Sequence, residues 1–214
     1  MKKSVFIYFV LALCFLIPDV VKADGCPRNN YNSKPILNER LFCGYHENGK
    51  LKIEAPLKNN KPEGIVKNYY ESGALESEIP MKNGIIEGIA RRYFESGRLY
   101  NETSYKNGMA EGIARDYYES GKLKNETPYK NDMAEGIAKN YYESGKLMME
   151  VPCKNGMKEG QMKIYRENGK LFAIIVYKNH TPVSGKCHHI NGTIRTLNGA
   201  ELHNWANGLD FKCD

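Results

Sequence analysis

The sequence predicts an all-β protein, an elongated single-layer antiparallel sheet of tandem 24-residue β-hairpins with a short helix in its C-terminal cap. Three observations carry this. One phrase recurs without a gap from Gly49, Gly73, Gly97, Gly121, Gly145 and Gly169, with Leu51, Leu75, Leu99, Leu123, Leu147 and Leu171 two residues on, and a fixed period of this length marks a repeat architecture. Each copy carries a Lys-Asn pair, from Lys58-Asn59 to Lys178-Asn179, and Asn83-Gly84, Asn107-Gly108 and Asn155-Gly156 supply the positive φ of a tight hairpin. Finally, a lone hairpin cannot bury its own apolar face, whereas neighbours stacked edge to edge can.

Within a unit the reading is strand, Asn turn, strand. The second strand starts at a Glu-Gly pair, Glu63-Gly64 to Glu159-Gly160, and ends at paired aromatics such as Tyr93-Phe94, Tyr117-Tyr118 and Tyr141-Tyr142. A two-residue loop would put Leu99 and Ile113 on opposite faces. A three-residue loop puts Leu99, Tyr105, Ile113 and Tyr117 on one face, and is preferred because a one-residue slip would scatter the apolar set. Pro56, Pro80, Pro128 and Pro152 then fall on the other face, where a bulge or broken ladder is expected.

Taken in order, residues 1–23 read as a signal peptide, 24–44 as an N-terminal cap, 45–183 as the hairpin array and 184–214 as a C-terminal cap. Lys2 and Lys3 precede an apolar run from Val5 to Ile17, and Val21-Lys22-Ala23 offers a cleavage site before Asp24. The run is shorter than the ~20 residues of a membrane-spanning helix, so no transmembrane segment is expected after cleavage. The chain is expected to be exported, periplasmic or secreted. In the C-terminal cap, Asn191-Gly192 marks a last turn, and Asn198 with Glu201 opens a helix carrying Leu202 and Trp205 on one face.

Cleavage removes three lysines and one aspartate from a formal charge of +6, leaving about +4, too weak a bias for a nucleic-acid partner. The lysines from Lys58 to Lys178 face the glutamates from Glu63 to Glu159 across the same turns and read as solvated cross-strand ion pairs. Five cysteines remain after cleavage. Cys153 occupies a slot held by Leu57, Met81, Tyr105, Tyr129 and Tyr177 in sibling copies, so it reads as a core thiol. In an oxidising compartment the others are expected to pair as Cys26–Cys43 and Cys187–Cys213, each closing a terminal loop.

No catalytic, cofactor or metal site is expected. Ser72, Ser96, Ser120 and Ser144 precede the unit glycines at turns, with no histidine within these copies to serve as base. The set Cys187, His188, His189, His203 and Cys213 has no zinc-ligand spacing. What remains is surface. Tyr93, Tyr117 and Tyr141 are placed with the leucines, and Phe94, Tyr118 and Tyr142 with the prolines; these six rings are the candidate partner contacts, since aromatics offer large area at low entropic cost.

The phrase GKLKNETPYKNDMAEGIAKNYYES resembles the MORN-repeat variant of bacteria, in which Y-x-x-G-x-L and K-N-G-x-x-E-G recur at this spacing, and the resemblance spans residues 45–178. It implies a non-catalytic protein-interaction module. Its similarity to antitoxins of the YwqK type implies an antitoxin or immunity role against a toxin partner. The alternative is a structural or cell-wall glycan-binding envelope protein, with tyrosines stacked on sugar rings.

Overall fold

The computed structural model describes residues 39–206. The signal peptide, most of the N-terminal cap, Cys26 and Cys213 lie outside them. Among the described residues nineteen strands form one open antiparallel meander, in which each long strand pairs with the return strand before it and the return strand after it. The first strand, β1 (Glu39–Tyr45), pairs with β2 (Leu51–Lys58), and five further long strands follow: β5 (Leu75–Lys82), β8 (Leu99–Lys106), β11 (Leu123–Lys130), β14 (Leu147–Lys154) and β17 (Leu171–Lys178). After each of the first five of these strands comes a return strand in two pieces, such as β3 (Lys61–Pro62) with β4 (Gly64–Tyr69), β6 (Ile85–Ile86) with β7 (Gly88–Tyr93), or β9 (Met109–Ala110) with β10 (Gly112–Tyr117). The series ends with β18 (Thr181–His188), β19 (Ile194–Thr196) and helix α1 (Gly199–Ala206).

The turns differ on the two sides of the ribbon. On one side Lys106 pairs with Met109 across two residues, and Asn107 and Gly108 have φ of 51° and 81°, a type I′ turn whose twist matches the strands. On the other, Gly121 N–H donates to Tyr118 O at 2.8 Å and Tyr118 N–H to Lys122 O at 2.8 Å. Here the three-residue Glu-Ser-Gly loop closes on a glycine of φ 84°. The three-residue loop expected at the Asn turn is therefore corrected to two, and the longer loop belongs to the opposite side.

The expected irregularity opposite the prolines is present. Lys106↔Met109 and Tyr105↔Ala110 pair in one register, but Asn101↔Asp116 and Glu102↔Arg115 in another, two residues displaced. The Glu111-Gly112 pair is the insertion. Pro128 has no N–H to give, yet its carbonyl accepts from Glu135 N–H at 2.9 Å across the same kind of bulge, as Pro56, Pro80 and Pro152 do from Glu63, Glu87 and Glu159.

This register divides the apolar residues between two faces and corrects the expected single set. Leu99, Thr103 and Tyr105 share the inner face with Ala110 and Ala114, whereas Ile113 and Tyr117 lie on the outer face with Glu102, Arg115 and the prolines. The inner face holds both cores. One comprises Ala55, Val66, Ile79, Met81 and Ile86; the other runs from Ala138 and Val151 through Met162, Ala173 and Ile175 to Cys187 and Leu197, with Leu202 of α1 packed on it. Between them the face turns polar, where the Asp116 carboxylate accepts from the Asn101 and Asn125 amides at 2.7 and 3.0 Å. The amides of two glycosylation-type tripeptides, Asn101-Glu102-Thr103 and Asn125-Glu126-Thr127, are thus spent inside strands. Helix α1 starts with the expected capping box, Glu201 N–H to Asn198 Oδ1 at 3.0 Å and Asn198 N–H to Glu201 Oε2 at 2.9 Å.

Candidate interaction surface

The repeats are stitched by bonds that span one period. Where the residue that closes a Glu-Ser-Gly turn is tyrosine, its hydroxyl donates to the main chain of the next unit: Tyr70 to Tyr93 O, Tyr118 to Tyr141 O and Tyr142 to Tyr165 O, each at 2.7 Å. His46 fills the slot in the first copy, its Nε2 lying 2.7 Å from Tyr69 O, and Arg166 fills it in the sixth, donating to His188 O at 3.0 Å. A carbonyl only accepts, so His46 must carry its proton on Nε2. Phe94 has no hydroxyl for this role and packs edge-on against Tyr100, ring centroids 5.0 Å apart.

A second stitch uses the glutamates expected to pair with lysines. Glu63, Glu87, Glu111, Glu135 and Glu159 each accept the backbone N–H of the next turn's asparagine, from Asn83 at 2.6 Å to Asn179 at 2.7 Å. The lysine ladder is left exposed, and among the described residues none of Lys58, Lys82, Lys106, Lys130, Lys154 and Lys178 enters an ion pair.

The first tyrosine of each pair sits on the proline face, not with the leucines. Tyr93, Tyr117 and Tyr141 donate to the carboxylates of Glu78, Glu102 and Glu126 at 2.9–3.1 Å. The two-residue Asn turn puts them there by simple alternation along the strand, and a register shift at Arg92/Tyr93 and its equivalents then pairs each tyrosine with a leucine of the opposite face. Burial, then the glutamate that accepts the hydroxyl, raises the pKa of Tyr93, Tyr117 and Tyr141 above the ordinary value. All six candidate rings, Phe94, Tyr118 and Tyr142 included, are half-buried, and five of the six use their hydroxyls inside the molecule.

The free surface lies beside them. On the outer face Ile65 pairs with Pro80, Ile89 with Ser104, Ile113 with Pro128 and Ile137 with Pro152. These four isoleucines are 44–53% exposed. A parallel row nearer the Asn turns alternates lysine with apolar residues, Lys82↔Ile85, Lys106↔Met109, Lys130↔Met133 and Lys154↔Met157, with the apolar members 40–51% exposed. On its other flank the stripe meets Glu102 and Glu126, held by the Arg115 guanidinium at 3.5 and 3.1 Å. An isoleucine follows each of the first four Glu-Gly pairs, and Gln161 follows the fifth, so the row is visible in the sequence as a 24-residue recurrence.

Of the described cysteines, Cys153 is a free thiol whose pKa is raised by burial. Cys43 and Cys187, at opposite ends of the array, are not free thiols. Among the described residues no group of three His, Cys, Asp or Glu side chains is placed to hold a metal ion, and no helix is long and apolar enough to cross a membrane.

The model of the MORN repeat variant family matches residues 41–59, 62–83, 86–107, 110–131, 134–155 and 158–179. No curated protein sequence matches the chain. Among solved structures, a chain in the crystal structure of the GtfA/B complex bound to UDP and GlcNAc is similar at 12% identity with a TM-score of 0.26; the match covers 63% of this chain and 27% of that one. So low a score carries no functional argument.

Proposed function

The chain belongs to the MORN repeat variant family, and from that premise we propose that it is an exported, non-catalytic protein-interaction module whose outer stripe of Ile65, Ile89, Ile113 and Ile137 holds a protein partner. The observation that carries the reading is the stripe itself. Soluble monomers rarely leave contiguous apolar rows in water unless something covers them, and here the row is bordered by lysines with no ion-pair partner among the described residues. The residues of the hydrophobic leader support export. Resemblance to the YwqK-type antitoxins supports a toxin as the partner, which this module would neutralise by covering.

The test is capture from an extract of the source cells with wild-type chain and with the Ile89→Asp/Ile113→Asp variant. Both positions are exposed, so the variant is expected to keep its melting transition and lose a stoichiometric protein partner. Equal capture by both chains would remove the stripe from the reading. Sedimentation with purified cell wall in place of a captured protein would favour the glycan-binding alternative.

A further inference from the structure

The period of the stripe selects the shape of its occupant. Ile65, Ile89, Ile113 and Ile137 lie on successive return strands, two strand positions apart in the sheet, which at ~4.8 Å per strand spaces them by ~9.6 Å. A linear partner laid across the strands must return the same side chain to the same face at that interval. An extended strand repeats its face every two residues, ~6.7 Å, and neither that distance nor its double matches. An α-helix returns after seven residues, ~10.5 Å, and drifts out of register by ~4 Å over four units. A polyproline-II helix returns after three residues, ~9.3 Å, and drifts by only ~1 Å.

Chemistry agrees with the geometry. Polyproline II makes no internal hydrogen bonds and leaves its carbonyls free, and the lysine row beside the stripe offers donors. Because Lys82, Lys106, Lys130 and Lys154 are exposed and unpaired among the described residues, the matching side chains are carboxylates. We propose that the stripe binds an acidic polyproline-II segment of the partner, one apolar residue per turn seated among the isoleucines and one carboxylate per turn facing the lysines. From Pro56 to Pro152 the row is ~38 Å long, enough for about twelve residues. This inference rests on the reading of the outer face as protein-binding.

The test titrates the full chain against a labelled peptide of about five Pro-Pro-Glu triplets and reads fluorescence anisotropy. Comparison probes are a peptide of the same composition with the glutamates irregularly spaced, a heptad Leu/Glu helical peptide of equal charge, and phosphatidylglycerol vesicles. The triplet peptide is expected to bind at least about tenfold more tightly than its irregular counterpart and to weaken several-fold between ~50 and ~300 mM salt. Ile89→Ala/Ile113→Ala is expected to cost about tenfold more, with melting unchanged. Equal binding of the irregular peptide, tighter binding of the helix or the vesicles, or no peptide binding would each overturn the proposal. If the peptide fails while capture of the native partner still depends on Ile89 and Ile113, this occupant is wrong and the face stands; if neither depends on them, the face itself is wrong.

Discussion

Phe94 is the one silent position in the slot that joins consecutive repeats, so a hydroxyl added there and one removed next door should have opposite effects. In the copies that carry tyrosine, the slot hydroxyl lies 2.7 Å from a carbonyl one period on. Such a bond, half-buried and neutral, is worth about 1 kcal/mol net. Phe94→Tyr keeps the ring and its edge contact with Tyr100 and adds a donor within reach of Tyr117 O, so it should stabilise by about 1 kcal/mol. Tyr118→Phe should destabilise by the same amount. With a urea slope of ~2 kcal/mol/M these are midpoint shifts of about 0.5 M in opposite directions, and the double variant should return close to wild type. Circular dichroism during urea unfolding reads all three. A destabilising Phe94→Tyr, or a Tyr118→Phe within ~0.3 kcal/mol of wild type, would refute the claim that this slot couples the units.

Glu87→Ala removes the acceptor of Asn107 N–H and should lower stability by about 1 kcal/mol in the same assay, with Glu87→Gln in between. Gly185→Ala should cost more, about 1–3 kcal/mol, because a β-carbon there would meet Leu197 at 2.8 Å and Leu202 at 3.2 Å; exchange protection of α1 should fall with it. The tyrosines bonded to glutamates have raised pKa values, from burial first. In the unfolded chain tyrosine ionises near 10, so their contribution is intact below about pH 10 and is lost as pH climbs through the higher folded values. Tyrosinate absorbance should therefore rise together with unfolding, and an absorbance change at ordinary tyrosine pH with the fold intact would contradict this. Peptide mapping without reduction should recover Cys26–Cys43 and Cys187–Cys213; a bridge from Cys43 to Cys213 would contradict the terminal-loop pairing.

The period, the Asn turns, the proline bulges and the Asn198–Glu201 capping box were legible because each is a local signal with its own physical cause. The register was not. Preference for a single apolar face fails here because the sheet has two apolar sets, Leu99 and Tyr105 turned inward and Ile113 turned outward. The two-residue insertion at Glu111-Gly112 conserves side-chain parity, so counting residues cannot reveal it. The glutamates and the slot tyrosines act on partners about one repeat away, a relation that short-range pairing rules do not see. Tyr117 lies outward with Ile113 because the Asn turn has two residues, and the register shift opposite Leu123 hides this by pairing it with a leucine of the inner face. The most exposed apolar row is hidden in the sequence because a three-residue Asn loop would turn the isoleucine after each Glu-Gly pair inward with Leu99, whereas the two-residue loop turns it outward.

The direct test of the outer stripe as the binding face is photo-crosslinking in the source cells, with a benzophenone side chain placed singly at Ile89, at Ile113, or at Thr103 on the inner face. One discrete protein adduct is expected from positions 89 and 113 and none from 103. An adduct from position 103 alone would place the partner on the inner face and contradict that expectation.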